Sequence, residues 1–264
     1  MQQLLFPEMQ ELKKPLFLLS NDDGIHAPGL RYLIETLRPV ADLFVVAPDS
    51  PRSGGGMSIT ITNPVTVRLL RDEPGLTEYS CSGTPVDCIK MAFSQLLGNR
   101  RPELVVSGIN HGDNAGINVH YSGTMGAVIE GALQGFPAIG FSLCDHSEKA
   151  DFTPLRDHLI DFVFKTIAVG LPPYTCLNVN FPKTNRFLGT KICRMGHSRW
   201  TNEFARRKRP GGGYYYWLTG EAQDLHPEDA SMDTNALKEG YIAVTPIRLD
   251  MTSEGLFEVL QQVM

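Results

Sequence analysis

Short apolar segments alternate along much of the chain with segments in which apolar residues recur at every third or fourth position. The short segments are typical of buried strands, and the periodic segments are typical of helices with one apolar face. Apolar runs predict strands at 16–19, 43–47, 104–107, 138–143, 176–181 and 242–247. Helical spacing predicts helices over 30–37, 86–97, 125–133, 155–167 and 256–263.

Two of the predicted helices also carry start signals. Pro28 stands just before the first helical pattern, and proline is favoured in a first helical turn. Thr84 and Pro85 provide an N-cap and a first-turn proline for the next helix. Because strands and helices alternate over about the first 180 residues, we expect a parallel α/β sheet with helices on both faces.

Residues 185–240 differ from the preceding part because charged residues, glycine and aromatic residues are more frequent there. The sequence has no internal repeat, low-complexity tract or Pro/Ser/Gly-rich linker that would mark a boundary. We therefore expect a single domain over 1–264. It would comprise an α/β core over 1–184 and a C-terminal extension over 185–264 that contains a β-hairpin and a terminal helix.

Composition places the chain among globular proteins. Of its 264 residues, 42% are hydrophobic and 20% are charged, which argues against disorder. The 24 Lys and Arg residues are outnumbered by 29 Asp and Glu residues, so the formal net charge is −5. A stable complex with nucleic acid is not expected, because such binding depends on basic residues that neutralise phosphates.

The same features predict a cytoplasmic protein without a membrane anchor. No apolar run approaches the roughly 20 residues that a membrane helix requires, and residues 1–14 lack the basic start and apolar block of a signal peptide. The five cysteines are odd in number and include no CxxC pair. This pattern favours neither a disulfide framework nor a thiolate zinc site, and it suits a reducing compartment.

Polar residues follow the first predicted strand as Asn21-Asp22-Asp23-Gly24. In open α/β sheets, ligands bind at the carboxyl ends of the strands. Two adjacent carboxylates repel each other there unless they share a proton or a cation, and a divalent cation with oxygen ligands is the natural partner. The alternative is a plain polar turn, since Asn, Asp and Gly all favour turns.

A glycine-rich segment follows the second predicted strand, where Arg52 and Ser53 precede three glycines at 54–56. Backbone N–H groups in such a segment can approach an anion closely. Arg52 could pair with a phosphate, and Ser53 could offer an oxygen to a metal. The segment matches neither of the common nucleotide-binding motifs, GxGxxG and GxxxxGKS/T, and a flexible loop is the alternative.

Two further polar segments complete the set. Asn110 follows the third predicted strand and offers a neutral carbonyl oxygen that suits a metal beside two carboxylates. Ser122, Gly123 and Thr124 open the next helix, where hydroxyls and free N–H groups make a phosphate site; ordinary capping is the alternative. All four segments are predicted on one edge of the sheet, and this convergence favours a functional site.

The motifs on that edge appear in a fixed order along the chain. They are Asn21-Asp22-Asp23-Gly24, Ala47-Pro48 with Arg52-Ser53-Gly54, Ser82-Gly83-Thr84-Pro85-Val86-Asp87, Ser107-Gly108-Ile109-Asn110 and Tyr121-Ser122-Gly123-Thr124. The series resembles the SurE (survival protein E) family of metal-dependent nucleoside-monophosphate phosphatases. Further matches extend the resemblance over nearly the whole chain, at Gly131, Pro137, 178–182, 215–217 and 245–247.

This resemblance implies a Rossmann-like three-layer fold and a role for each matching position. It implies one divalent cation per subunit, Mg²⁺ or Mn²⁺, held by Asp22, Asp23, Ser53 and Asn110, with Asp22 and Asp23 also as catalytic residues. It implies a phosphate pocket formed by Asn114, Ser122, Gly123 and Thr124. One departure is Asn118, which stands where many members of the family have an aspartate.

The residues and the resemblance both indicate a phosphomonoesterase that uses a metal-activated water. The expected activity is that of a 5′-nucleotidase on nucleoside 5′-monophosphates, with 3′-monophosphates and short-chain polyphosphate as further substrates. His111 and His120 are candidates for protonating the leaving group, although a lone histidine is more often structural. The alternative is a non-catalytic nucleotide-binding or sensor protein that retains the metal pocket.

A basic segment at 206–209 precedes four aromatic residues at 214–217. We expect a basic loop that leads into a β-hairpin whose aromatic residues pack against a neighbouring subunit. The alternative is that these residues stack on a nucleotide base. The resemblance implies a homodimer or homotetramer in which C-terminal segments exchange between subunits.

Three other enzyme or signalling classes are disfavoured by the motifs. A haloacid-dehalogenase phosphatase needs a nucleophilic aspartate two residues before Asp23, where this chain has Asn21. A receiver domain is far shorter than this chain and needs a phospho-acceptor aspartate that 107–110 does not supply. A serine hydrolase needs a GxSxG motif, which is absent from the sequence.

Overall fold

The structure is a computed structural model that describes residues 14–147 and 149–264. The signal-peptide prediction concerns a segment that lies almost wholly outside the described residues. The strands are β1 Leu16–Ser20, β2 Asp42–Pro48, β3 Val67–Glu73, β4 Leu76–Cys81, β5 Leu104–His111, β6 Ala138–Leu143, β7 Thr175–Phe181, β8 Thr190–Ile192, β9 Ser198–Thr201, β10 Phe204–Lys208, β11 Tyr214–Leu218, β12 Glu221–Asp224 and β13 Ile242–Arg248. The α-helices are α1 Pro28–Leu37, α2 Pro85–Met91, α3 Gly123–Leu133, α4 Arg156–Val169, α5 Asp233–Lys238 and α6 Glu254–Val263.

One large sheet organises the described residues. Its nine strands lie in the order β3-β4-β2-β1-β5-β6-β7-β13-β8. The strands from β4 to β7 pair in parallel, whereas β3 and β13 run antiparallel to β4 and β7. The mostly parallel sheet predicted from the alternation of strands and helices is therefore confirmed.

Helices cover both faces of this sheet, which gives three layers. Successive residues of β1 point to opposite faces of the sheet. Leu18 packs in the cluster that contains Val128 of α3. Leu19 packs instead in the cluster that contains Leu30 of α1 and Leu159 of α4. Both leucines are fully buried, as expected for a strand with helices on its two faces.

The strand order creates a crevice in the middle of the sheet. The chain runs from β1 outward to β2 and β4, and it then returns to the other side of β1 with β5. The carboxyl ends of β1 and β5 therefore border the topological switch point, where ligands bind in open α/β sheets. Two of the four polar segments follow β1 and β2 at this edge, as predicted. The third begins inside the sheet, because β5 extends past residue 107 and contains Asn110 near its carboxyl end.

Two strands near one edge of the sheet were not predicted, because they lack an apolar run. β3 is mostly exposed and contains several charged residues. In β4 the buried carboxylate of Glu78 pairs with Arg31, and it also pairs with Arg71 at 3.1 Å. A buried charge requires such partners, and Arg31 lies 47 residues away along the chain, beyond the reach of local periodicity.

The helix predicted over 86–97 is shorter than its apolar spacing suggests. α2 ends at Met91, and the chain continues as a π-helical turn over Ala92–Leu96. Thr84 caps α2 as predicted, because its side chain accepts from the Asp87 N–H while the Asp87 carboxylate accepts from the Thr84 N–H.

The C-terminal part contributes two strands, β8 and β13, to the large sheet, together with several exposed elements. β10 pairs with β11, and β9 pairs with β12. Three of the four basic residues predicted to form a loop lie in strand β10 instead, where Arg207 is opposite Tyr215, and Arg209 follows the strand. The predicted terminal helix α6 is present, and all of its residues are exposed. None of the helices in the described part of the chain is long and apolar enough to cross a membrane.

Candidate active site

A tight polar turn follows β1 at the crevice. The Asn21 side chain donates to the Gly24 carbonyl oxygen at 3.0 Å and accepts from the Gly24 N–H at 3.3 Å. Gly24 adopts a positive φ of 103°, which glycine tolerates and other residues rarely do. The turn thereby fixes the backbone on either side of Asp22 and Asp23.

Asp22 is a buried carboxylate, 4% exposed. The Thr124 hydroxyl donates to its Oδ1 at 2.5 Å. Burial raises the pKa of Asp22 to about 6, the neighbouring Asp23 adds to the rise, and the hydrogen bond from Thr124 opposes it. A carboxylate held in this way gains most from a nearby cation, because charge there is poorly solvated.

Asp23 is more exposed than Asp22 and has a histidine partner. Its Oδ2 lies 3.3 Å from Nδ1 of His111, which ends β5. The His111 ring packs edge-on against Phe152, so a carboxylate and an aromatic ring both fix its orientation. Of the two histidines suggested by the sequence, His111 therefore contacts the acidic pair, whereas the His120 side chain is exposed.

The glycine-rich segment after β2 is joined to the same site by its backbone. The Arg52 N–H donates to the Asp22 carbonyl oxygen at 2.7 Å, and the Gly56 N–H donates to the Tyr121 carbonyl oxygen at 3.0 Å. A Cβ atom at Gly56 would lie 2.8 Å from the His120 carbonyl oxygen, so this approach requires glycine. Ser53 follows Arg52 and is exposed at the rim.

Asn110 lies near the carboxyl end of β5, next to His111. Its side-chain nitrogen donates to the Gly112 carbonyl oxygen at 2.8 Å. The amide nitrogen is a hydrogen-bond donor, so the side-chain oxygen is the atom that can bind a cation. The predicted metal ligands thus lie at three neighbouring strand ends.

The start of α3 packs directly against the acidic pair. Ser122 caps the helix by accepting from the Met125 N–H at 3.0 Å, and its hydroxyl proton remains available to a ligand. A Cβ atom at Gly123 would lie 2.7 Å from Cβ of Asp22, so the helix backbone approaches the carboxylate closely. The first N–H groups of a helix lack partners within it and favour an anion.

Two residues expected in the phosphate pocket have their side chains engaged elsewhere. The Thr124 hydroxyl donates to Asp22, which leaves its backbone N–H as the group for a phosphate. The Asn114 side-chain nitrogen donates to Ser142 Oγ at 2.7 Å. Both residues are expected beside the phosphate, and each side chain also forms a hydrogen bond to another residue of the protein.

Asn114 belongs to a buried polar network that the sequence analysis did not identify. Its backbone N–H donates to the Asn180 side chain, and its carbonyl oxygen accepts from the Asn178 side chain, both at 2.8 Å. Asn178 and Asn180 alternate with apolar residues in β7. Two asparagines within an otherwise apolar strand could have indicated this network, because buried polar groups need hydrogen-bond partners.

Asn118, at the position where the sequence departs from the family pattern, donates from its side chain to Asp113 Oδ1 at 3.2 Å. An aspartate at 118 would place two carboxylates side by side. The asparagine instead forms a donor–acceptor pair that holds the segment between β5 and α3.

The donor set fits a hard divalent cation. The predicted ligands offer two carboxylates, one hydroxyl and one amide oxygen, which are the atoms that Mg²⁺ and Mn²⁺ prefer. Residues 14–147 and 149–264 contain no cluster of three or more His, Cys, Asp or Glu side chains arranged for a metal. Any cation at this edge would therefore depend on the neutral oxygens of Ser53 and Asn110 as well as on the acidic pair.

A family model described as Survival protein SurE matches residues 17–202. The chain belongs to the SurE family. It is 50% identical over 250 residues to the protein named 5′-nucleotidase SurE from Bacteroides thetaiotaomicron, with 95% of this chain and 96% of that protein covered. It is 51% identical over 251 residues to the protein of the same name from Bacteroides fragilis, with 95% and 98% covered.

A solved SurE structure has the same architecture. The SurE protein from Aquifex aeolicus superposes with a TM-score of 0.80 at 34% sequence identity, over 94% of this chain and 99% of that chain. The family resemblance and the α/β fold expected from the sequence are both confirmed.

Proposed function

We propose that this member of the SurE family is a 5′-nucleotidase that hydrolyses nucleoside 5′-monophosphates with a divalent cation. Its main support is the contact between the acidic pair and the start of α3, where a Cβ atom at Gly123 would clash with Asp22. Cation-binding carboxylates and anion-binding N–H groups are therefore adjacent, which suits a phosphate bound to a cation. The printed names of the two Bacteroides relatives agree with this activity.

Asp22, Asp23, Ser53 and Asn110 would hold the cation, either Mg²⁺ or Mn²⁺. When bound, the cation would lower the pKa of a water molecule and neutralise charge on the phosphoryl group. Asp22 and Asp23 are the catalytic residues of the proposal. The Thr124 hydroxyl, 2.5 Å from Asp22, orients that carboxylate, and such supporting hydrogen bonds tune metal affinity.

The start of α3 would hold the phosphate. Ser122 donates its hydroxyl proton, while Gly123 and Thr124 offer backbone N–H groups at the positive end of the helix dipole. Asn114 completes the pocket, because one N–H of its side-chain amide donates to Ser142 and the second N–H is free to donate to the phosphate. Phosphoryl transfer depends mainly on such positioning and charge stabilisation.

His111 is the candidate for delivering a proton to the leaving nucleoside oxygen. Asp23 lies 3.3 Å from its Nδ1, and this contact orients the ring. The proposed substrate range also includes 3′-monophosphates and short-chain polyphosphate, because the proposed groups contact only the terminal phosphoryl group that all these substrates carry.

The test is phosphate release from a panel of nucleoside 5′- and 3′-monophosphates and short polyphosphate. Each would be measured with Mg²⁺, with Mn²⁺, and with EDTA followed by excess metal. We expect release that EDTA abolishes and metal restores. Binding of a nucleotide without release by folded protein would instead favour a non-catalytic nucleotide sensor.

We also infer a homodimer or homotetramer that exchanges C-terminal segments, with 185–264 as an extension of a single domain. All residues of α6 are exposed, including Phe257 and Leu260, and β11 exposes Trp217. A short helix depends on packing of its apolar face for stability. A second copy of the chain would supply that packing.

A reducing cytoplasm is the compartment that we infer for the protein. All five cysteines are free thiols, and four of them are buried. Free thiols persist most readily where glutathione and thioredoxin keep them reduced.

A further inference from the structure

A cavity of about 380 Å³ lies at the same edge of the sheet as the acidic pair. It is lined by residues that follow β6 and β7, by the segment 113–118, and by residues of β9, β12 and α5. Sites for small molecules commonly enclose about 300–1,000 Å³. The cavity contains none of the residues proposed above for the cation or the phosphate.

The cavity and the proposed phosphate site share one short segment of chain. Residues 113–118 lie between Asn110 and Ser122 in sequence, so this segment borders both places. Adjacent strands lie about 4.8 Å apart, which puts the ends of β6 and β7 about 5 and 10 Å from the end of β5. A nucleoside attached to the bound phosphate reaches across that distance.

Trp200 provides an aromatic surface in the cavity. It lies in β9, is half-buried, and is opposite Ala222 of β12 in an antiparallel pair. The hairpin backbone therefore restrains the position of its ring. Nucleobases stack on such rings with little dependence on which base is present.

Asp113 provides a hydrogen-bond acceptor that lines the same cavity. Its Oδ1 accepts from the Ala115 N–H and from the Asn118 side chain, both at 3.2 Å. Because both bonds go to one oxygen, the other is left for a hydroxyl or amino donor. Ribose and several bases carry such donors.

The charges of the lining favour a neutral group over a second phosphate. Lys183 pairs with Asp145 at 2.9 Å, and Lys238 pairs with Asp224 at 2.8 Å. Asp113 has no basic partner at salt-bridge distance among residues 14–147 and 149–264. An unpaired carboxylate repels an anion and accepts hydrogen bonds from neutral polar groups.

We propose that this cavity binds the nucleoside part of the substrate, with the base stacked on Trp200 and Asp113 accepting from its hydroxyl or amino groups. The inference rests on the proposed nucleotidase function and adds recognition of the base outside the cation and phosphate residues. Because stacking tolerates every base, the cavity discriminates nucleotides from base-free phosphomonoesters more strongly than one base from another.

The kinetic test compares AMP with ribose 5-phosphate, which is the same substrate without its base. The matched variants are Trp200→Ala and Trp217→Ala, since these are the two tryptophans of the chain. We expect the ratio of kcat/KM for AMP to that for ribose 5-phosphate to fall about tenfold in Trp200→Ala, because stacking contributes about that factor. The ratio in Trp217→Ala should match the wild type.

An unchanged ratio in Trp200→Ala would overturn the role of the cavity, including the case in which both substrates lose activity equally. Hydrolysis of both substrates by the wild type would then leave the nucleotidase proposal standing. Failure of the wild type to hydrolyse either substrate would contradict the proposed function, and this inference with it.

Fluorescence provides a readout that does not depend on catalysis. Trp200 is the remaining tryptophan in Trp217→Phe protein, and adenosine without phosphate should quench it in a saturable way. In Trp200→Phe protein, the remaining Trp217 should not respond. Quenching of Trp217, or of neither tryptophan, would count against the cavity as the nucleoside site.

Discussion

The buried carboxylate of Asp22 destabilises the folded protein when no cation neutralises its charge. Burial raises its pKa from 3.8 to about 6, so the folded state binds a proton there more tightly than the unfolded chain does. The resulting penalty on folding is absent below the unfolded pKa, grows as the pH rises, and is complete above about pH 6. It corresponds to about 3 kcal/mol at neutral pH.

Asp22→Asn should therefore stabilise the metal-free protein by about 1–3 kcal/mol at neutral pH. The amide removes the buried charge and still accepts from Thr124. Urea unfolding in EDTA measures the effect, and the gain should shrink near the ordinary pKa of 3.8. Added Mn²⁺ should stabilise the wild type and not the variant. A variant that is less stable than the wild type at neutral pH in EDTA would contradict this account of Asp22.

The Thr124 hydroxyl should strengthen cation binding, because it orients the Asp22 carboxylate. It should not bind the phosphate directly. Thr124→Val keeps the shape and removes the hydroxyl, so it should weaken metal affinity about tenfold or more. Thr124→Ser keeps the hydroxyl and should restore the affinity. Titration of activity against Mn²⁺ concentration measures both variants. Equal metal affinity in all three proteins would show that the hydroxyl has no such role.

The sequence was enough to predict which polar residues lie at this edge of the sheet but not all of their contacts. Asp22, Asp23 and Asn110 follow from one rule, that polar residues after parallel strands meet at one edge. The hydrogen bond between Thr124 and Asp22 joins residues 102 positions apart. Because such a pairing depends on how α3 packs, local pattern could place Thr124 near a phosphate but could not identify its partner.

At the scale of elements, the packing of the start of α3 sets the distance between the proposed phosphate-binding N–H groups and the acidic pair. Gly123→Ala would place a Cβ atom 2.7 Å from Cβ of Asp22 and would push the helix start away. We expect at least a tenfold loss of kcat, since small displacements of positioning groups are costly. The control is Gly255→Ala in α6, whose Cβ would meet no atom within 4 Å. Full activity in Gly123→Ala protein would contradict the close approach.

The strands that the sequence predicted differ in burial from the strands that it missed. Strands such as β1 and β6 lie under helices on both faces and read as continuous apolar runs. β3 and β4 are near the sheet edge, and β4 carries the paired Glu78. The π-helical turn Ala92–Leu96 retains helical spacing of apolar residues, so periodicity could not find the end of α2.

At the scale of the whole molecule, the exposed face of α6 predicts assembly. Phe257→Lys should increase the fraction of monomer, because a charge would be buried against the second copy. Val169→Lys, at an exposed position at the end of α4, is the control and should keep the wild-type mass. Light scattering during size-exclusion chromatography measures both. A wild type that is already monomeric would rule out the exchanged assembly.

The most direct test of the whole account is the rate of phosphate release from AMP by Asp23→Asn at saturating Mn²⁺. Asp157→Asn is the matched control, since Asp157 is exposed in the first turn of α4. We predict a loss of about 100-fold or more for Asp23→Asn, because a cation at this site supplies several kcal/mol to the reaction. The control should keep the wild-type rate. A wild-type rate in folded Asp23→Asn protein would place the chemistry outside the acidic pair and contradict the account.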